Sequence, residues 1–425
     1  MRRAWPFLLL VAWGSVALGQ NEERFEFDVS QFEKKPYELG GFVEGRAERQ
    51  RLDRGAALFP LQFPGVTEKY NDRGIAAAEL WGTVRRDALR AQFLAHGEYL
   101  DEVRGSEHEA TLYEAFATWQ ASPGTSWEAG KKTQRWGKGY AWNPVGFLER
   151  PKDPEDPELA REGFIALSGT FVRSHGGALQ NWSFTPLVVP TEAGLNGDFG
   201  AEDHWNPAAK LTLLYRDTDI DLLWLGEGSR SAHFGFDISR NFGTNLELHG
   251  EWARIRDFEQ PLLEAGSLAL APPRDATSYL LGLRYLTERE TTWIVEYYRN
   301  GTGYSEAQGR DFYETAHAGA DLGALSPVLR SAAQAGYARP NLMRRYLYVR
   351  ASQKEPFDIL YFTPAVTTIV NLDDGSYSLV GELLYAGFKD VELRLRAAAN
   401  RGERLTEYGE KPVDARVELR LRYYF

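Results

Sequence analysis

Arg416-Val417-Glu418-Leu419-Arg420-Leu421-Arg422-Tyr423-Tyr424-Phe425 closes the chain. In an extended strand successive side chains leave on opposite faces. Val417, Leu419, Leu421, Tyr423 and Phe425 therefore share one face, and Arg416, Glu418, Arg420, Arg422 and Tyr424 share the other. One face is apolar and aromatic; the other is almost wholly charged. The same division recurs upstream, in Val391, Leu393, Leu395 and Ala397 against Glu392, Arg394 and Arg396. Tyr279, Leu281, Leu283 and Tyr285 around Arg284, and Leu211, Leu213 and Tyr215 around Lys210 and Arg216, repeat it. Near the start, Leu89, Ala91, Phe93 and Tyr99 face away from Arg90, Gln92 and Glu98. The dominant period from about residue 40 onward is two, not 3.6.

A water-soluble β-sandwich also alternates. Three further features separate the cases. Aromatics sit near the ends of the apolar faces, among them Tyr99, Trp119, Trp252, Tyr279, Trp293, Tyr385 and Tyr423, where amphipathic rings meet two membrane interfaces. The segments run about 9 to 13 residues, the length that crosses a bilayer at a tilt. The connections alternate between tight and long. Eighteen strands are predicted, beginning near residues 40, 74, 88, 108, 125, 163, 179, 207, 219, 231, 245, 277, 291, 343, 356, 375, 390 and 414, with sixteen as the alternative count. Tight turns include Arg86 to Ala88 and Gln353 to Pro356, whereas 51–73, 137–162, 190–206, 257–276, 300–342 and 401–413 are long. Only closure gives every backbone donor and acceptor a partner in lipid, so an even-stranded transmembrane antiparallel β-barrel is expected, with short periplasmic turns and long extracellular loops.

Composition narrows the classes. The chain has 425 residues with 12 Trp, 21 Tyr and 23 Phe, and a mean hydropathy of −0.43. After the first 20 positions no apolar run reaches the roughly 18 residues that a membrane helix needs. Zero cysteines exclude a disulfide framework and thiolate chemistry. A net charge of −11 argues against nucleic acid, which needs a basic surface. Arg2 and Arg3, the apolar run Phe7 to Val16 and the small residues ending at Gly19 have the order of a secretory signal. The expected organisation is a signal peptide over 1–19, a periplasmic N-terminal segment over 20–37 and a single barrel over 38–425.

With Val417, Leu419, Leu421, Tyr423 and Phe425 in place, the chain resembles bacterial outer-membrane β-barrels of the porin type. Those residues look like the C-terminal signal that the barrel-assembly machinery reads in that class. Among porin families, an eighteen-strand count and an arginine-rich lumen are similar to the alginate-export channels and the substrate-specific porins. The resemblance implies a bacterial outer-membrane location, with membrane lipid, the assembly machinery and small hydrophilic solutes as partners and no cofactor. It carries over no substrate-binding residue. The stretch Arg135 to Pro144 stands out as a signature without an assigned role.

Catalytic signals are missing from the sequence. The seven histidines show no metal-ligand spacing, so no metal is expected. No Gly-x-Ser-x-Gly elbow occurs, and Gly301-Thr302-Gly303 reads as a turn. The chain is read as a non-enzyme. Its inward faces point to transport instead. Arg394, Arg396, Arg416, Arg420 and Arg422 crowd the last two strands, and Arg90, Lys210, Arg216, Arg284, Arg344 and Arg350 join them from other walls. Guanidinium groups lining a pore lower the barrier for anions and grip carboxylates or phosphates with two parallel donors. The competing role is a salt-bridged lattice with Glu44, Glu247, Glu251, Glu296, Glu382 and Glu418 that braces the wall. Loop 137–162 carries Tyr140, Trp142 and Phe147 and then turns acidic through Asp153, Glu155, Asp156 and Glu158. Folded inward it is a constriction; lying outside it is a rim. Pro327, the Ala-rich stretch behind it and Gly336 predict a short helix after Ser326, which either plugs or narrows the lumen or caps it from outside. The expected function is a porin-like channel for small hydrophilic, anionic solutes. The alternative is a barrel scaffold or sheath whose plugged lumen holds a periplasmic or surface partner.

Overall fold

A computed structural model describes residues 35–264, 266–321 and 327–425. The expected signal peptide, Ser326 and nearly all of the expected N-terminal segment lie outside the described residues. The wall of the barrel is β1 (Tyr37–Leu52), β2 (Tyr70–Arg86), β3 (Leu89–Glu102), β4 (Gly105–Ser122), β5 (Thr125–Lys132), β6 (Phe164–Ser174), β7 (Leu179–Thr191), β8 (His204–Tyr215), β9 (Thr218–Leu225), β10 (His233–Phe242) and β11 (Leu246–Phe258). After a loop hairpin, β12 (Pro261–Glu264) with β13 (Ser267–Leu270), it continues through β14 (Arg274–Leu286), β15 (Thr291–Arg299), β16 (Arg345–Gln353), β17 (Phe362–Asn371), β18 (Tyr377–Phe388), β19 (Val391–Arg401) and β20 (Val413–Tyr424).

The eighteen wall strands form one antiparallel sheet in which each pairs with its sequence neighbours, β11 passing directly to β14. Phe42 pairs with Tyr424 and Arg51 with Ala415, so β20 returns to β1 and no edge is left open. Gly41 and Phe425 exchange both backbone hydrogen bonds, at 3.1 and 3.0 Å. A Cβ at Gly41 would stand 2.6 Å from the Phe425 ring, which is why the smallest residue sits under the terminal aromatic.

The side-chain partition is inverted relative to a soluble protein. Val417, Leu419 and Leu421 on β20 are 53, 54 and 50% exposed, whereas Glu418 and Arg420 between them are 7 and 6% exposed. Large apolar side chains face outward around the wall, from Leu80 and Trp119 to Leu281, Leu379 and Leu395. A continuous apolar exterior of this extent is untenable in water and fits lipid.

Among the prolines inside strands, Pro186 and Pro364 sit where a missing N–H costs little. Pro186 pairs with Ala209 on one side, while on the other the β6–β7 ladder skips from Ser168 to Phe171. Pro364 pairs with Leu383, and the ladder to β16 ends at Ala365. One boundary departs from expectation. The strand expected near 356 begins at Phe362, because Pro356–Asp358 forms a short 3₁₀ turn and Glu355, Phe357, Asp358 and Tyr361 adopt positive φ. The connection from Gln353 is therefore a loop.

At the opposite end the long loops fold over one another, the first of them carrying the one-turn helix α1 (Phe59–Gln62). The expected short helix is present as α3 (Pro327–Ala332), continued in a wider turn to Tyr337 with Gly336 at φ 146°. Before it lies α2 (Glu306–Asp321), which the sequence pattern does not announce. Its apolar residues Phe312, Tyr313 and Ala316 pack with Leu329, Ala332 and Tyr337 against Tyr346, Tyr348 and Ile369 of the wall.

Candidate functional site

The β5–β6 loop, 133–163, folds inward and is pinned to two walls. On one side, Glu251 of β11 accepts the backbone N–H groups of Lys138 (2.6 Å), Gly139 and Val145 (3.2 Å). Glu296 of β15 accepts those of Tyr140 and Ala141 (2.8 Å) and faces His249 Nε2 at 2.9 Å. Both carboxylates are buried. The stretch Arg135 to Pro144 thus has a role: its successive amides wrap two wall carboxylates. Two of its glycines let the backbone come that close. Gly137 has φ 97°, and a Cβ there would stand 1.8 Å from Asn143 Oδ1; a Cβ at Gly139 would meet the Trp142 carbonyl at 2.1 Å.

On the other side the acidic arm of the loop meets the arginines of β19 and β20. Asp156 accepts from Arg394 (2.8 Å) and Arg396 (3.1 Å). Arg396 also donates to the Glu155 carbonyl (2.7 Å), and the Glu155 carboxylate takes Ser378 Oγ (2.6 Å) and Arg416. Burial alone would raise both carboxyls, but Arg394 and Arg396 hold Asp156, and Arg416 holds Glu155, below the usual carboxylate range. Burial raises Asp153 and, acting on a cation, lowers Lys152.

The arm separates two spaces. Toward the turns lies a cavity of about 580 Å³ lined by Tyr140, Glu158, Arg350, Arg394 and Arg420. Toward the loops lies one of about 490 Å³ lined by Tyr313, Asn400 and Lys411. Asp153, Glu155 and Arg416 line both. Between the two cavities lies a carboxylate arm on a guanidinium wall.

The remaining candidates divide by position. Arg420 contacts Glu392 and lies 3.6 Å from Glu44, and Arg422 bonds Glu44 at 2.7 Å and the Tyr424 hydroxyl at 3.2 Å. Arg394 also reaches Glu418 (3.2 Å), and Arg350 reaches Thr367 (2.9 Å) and Glu382 (3.1 Å). Lys210 pairs with buried Asp221 at 2.9 Å, which Lys138 of the loop approaches at 3.4 Å. Arg90 and Arg284 lie on the faces opposite Leu89 and Tyr285, near the turns, without an ion pair among the described residues. Arg216 sits in the turn after β8, its guanidinium 5.5 Å from the Tyr215 ring, and Arg344 sits in the loop before β16, donating to the Gly303 carbonyl at 3.1 Å. These two are off the wall. Of the three aromatics, Tyr140 borders the turn-side cavity, its hydroxyl 3.3 Å from Glu158. Trp142 stacks on Tyr298 with centroids 5.1 Å apart, and Phe147 packs edge-on against Trp136 at 6.2 Å. Those two rings anchor the loop. Sequence reasoning assigned Glu251 and Glu296 to a lattice with arginines; their partners are instead backbone amides, which no spacing of residue types announces.

No family model matches the chain, and no curated protein matches it in sequence. Solved structures do resemble it. OccK9 (OpdG) of Pseudomonas aeruginosa aligns over 92% of this chain and 98% of its own, with 10% identity and a TM-score of 0.52. The chain has the fold of an outer-membrane porin. OccK1 (OpdK) of the same organism covers 91% and 98% at 9% identity and a TM-score of 0.51, and OccAB3 of Acinetobacter baumannii covers 92% and 99% at 10% identity and 0.50. At such identities the likeness is one of fold: the eighteen-stranded porin barrel is shared.

Proposed function

We propose that this barrel is an outer-membrane channel through which small hydrophilic solutes bearing a carboxylate or phosphate diffuse, narrowed by the arm Asp153 to Glu158. The observation that carries the reading is the arm lying against Arg394, Arg396 and Arg416 between two lumen cavities. The Nε atoms of Arg396 and Arg420 also face Glu382 and Glu44, each at 3.6 Å, so the guanidinium wall is held in place by carboxylates on more than one side. A transverse field between carboxylate arm and guanidinium wall orients a solute that carries both charges, its acidic end toward the arginines.

Planar bilayers test this. Folded protein is expected to give discrete conductance steps, and a persistently silent bilayer overturns the channel in favour of a plugged scaffold. Replacing Arg394, Arg396 and Arg420 by Glu is expected to move the reversal potential toward cations. An unchanged reversal potential would reduce those residues to bracing the wall.

A further inference from the structure

On the outer rim at the loop end, four guanidiniums gather with one carboxylate. Arg299 ends β15 and is paired in register with Arg345 at the start of β16. Arg345 bonds Asp373 at 2.6 Å, and Asp373 is further occupied by the backbone N–H groups of Arg344 and Arg345, both at 2.8 Å. Arg274, which opens β14, donates to the Gln260 side chain and the Gly301 carbonyl, each at 3.2 Å, and Arg344 donates to the Gly303 carbonyl. Carbonyls satisfy geometry without cancelling charge. Arg299 has no hydrogen bond or ion pair among the described residues. Burial and then the neighbouring Arg299 and Arg274 push the Arg344 guanidinium down from its ordinary value, the mark of cations crowded together.

On the same outward face Tyr279 is paired in register with Arg299 and so stands level with it, and Tyr297 follows two residues below; their ring centroids are 6.0 Å apart. Leu281, 61% exposed, is level with Tyr297, and Leu283 and Val295 form the next level down. Along a strand, two residues span about 7 Å. From rim to wall the levels are guanidinium with phenol ring, phenol ring with aliphatic chain, then aliphatic chains alone, a grading that suits a lipid with an anionic headgroup, an interfacial layer and acyl tails.

We propose that Arg274, Arg299 and Arg344 form a docking site for the phosphate of an outer-leaflet phosphorylated glycolipid whose acyl chains lie along Tyr279, Tyr297 and Leu281. The proposal rests on the membrane placement of the channel reading, with the long loops outward, and not on conduction. Commonly a surface cation near a membrane contributes about fivefold in affinity for anionic lipid. Native mass spectrometry of the full chain refolded in detergent, titrated with diphosphoryl lipid A, tests it. The parent protein is expected to retain the lipid, R274Q/R299Q to bind it roughly thirtyfold more weakly, and a control R85Q/R86Q at the turn end to match the parent. Should the double variant fail to fold, single R299Q with a loss of roughly fivefold decides the same point. Equal binding by parent and R299-substituted protein, undiminished binding of dephosphorylated lipid A, or displacement by millimolar inorganic phosphate would each overturn it, the last by showing a site for free anions. A barrel that holds lipid A yet stays silent in bilayers defeats the channel alone.

Discussion

Asp156 is the residue on which the constriction turns. It accepts from Arg394 and Arg396 across the lumen, and those two arginines lie on the wall that alternation alone marks as inward. Asp156→Asn keeps the shape and removes the charge. Reversal potentials in a salt gradient are expected to shift toward anions, because Arg394 and Arg396 then carry surplus positive charge beside the arm; a shift toward cations would contradict the assignment. Protonation does the same reversibly. Asp156 and Glu155 are held below the ordinary carboxylate value, so their contribution to docking is complete above about pH 4 and is lost as the pH falls through their lowered values. Conductance is expected to be flat between about pH 7 and 5 and to become larger and noisier below about pH 4. An arginine's face was legible from period two. Its partner was not, since Asp156 and Arg394 are 238 positions apart.

At the scale of the element, the loop 133–163 is held by wall carboxylates that accept main-chain amides, and its inward course depends on them. Replacing Glu296 by Ala removes the acceptor of the Tyr140 and Ala141 N–H groups and the partner of His249. Each buried group left without a partner costs roughly 1 to 3 kcal/mol. The variant is expected to expose the loop to limited proteolysis at Lys138 or Lys152 and to raise single-channel conductance while the barrel stays folded; parent-like resistance and conductance would show that Glu251 alone suffices. The wall strands were readable because lipid and lumen impose period two on every one. Helix α2 was not, because its sixteen residues include two glycines and only Phe312 and Tyr313 as large apolar residues, and its burial comes from packing on α3 and on Tyr346.

For the whole molecule, closure is the cooperative event: every strand finds both neighbours only when β20 reaches β1. Phe425 contributes the last two backbone bonds and covers Gly41. Deleting Phe425 is expected to cut the yield of membrane-inserted protein in cells severalfold, read as loss of the band that changes migration on heating, whereas refolding of the purified chain into detergent is expected to fall much less. Equal losses in both settings would make the residue a structural closure element and not an assembly signal.

By itself the sequence determined an even-stranded antiparallel barrel of sixteen or eighteen strands, its inward and outward faces and its tight-turn end, because solvent contrast across a wall acts on each residue locally and leaves a period in the chain; closure fixed the count at eighteen. Tertiary structure decided that loop 133–163 turns inward, that backbone amides and not arginines take up Glu251 and Glu296, and that Asp156 meets Arg394. Those contacts join residues more than a hundred positions apart, where only the closed barrel fixes distance, and no local periodicity records which two walls a loop will touch.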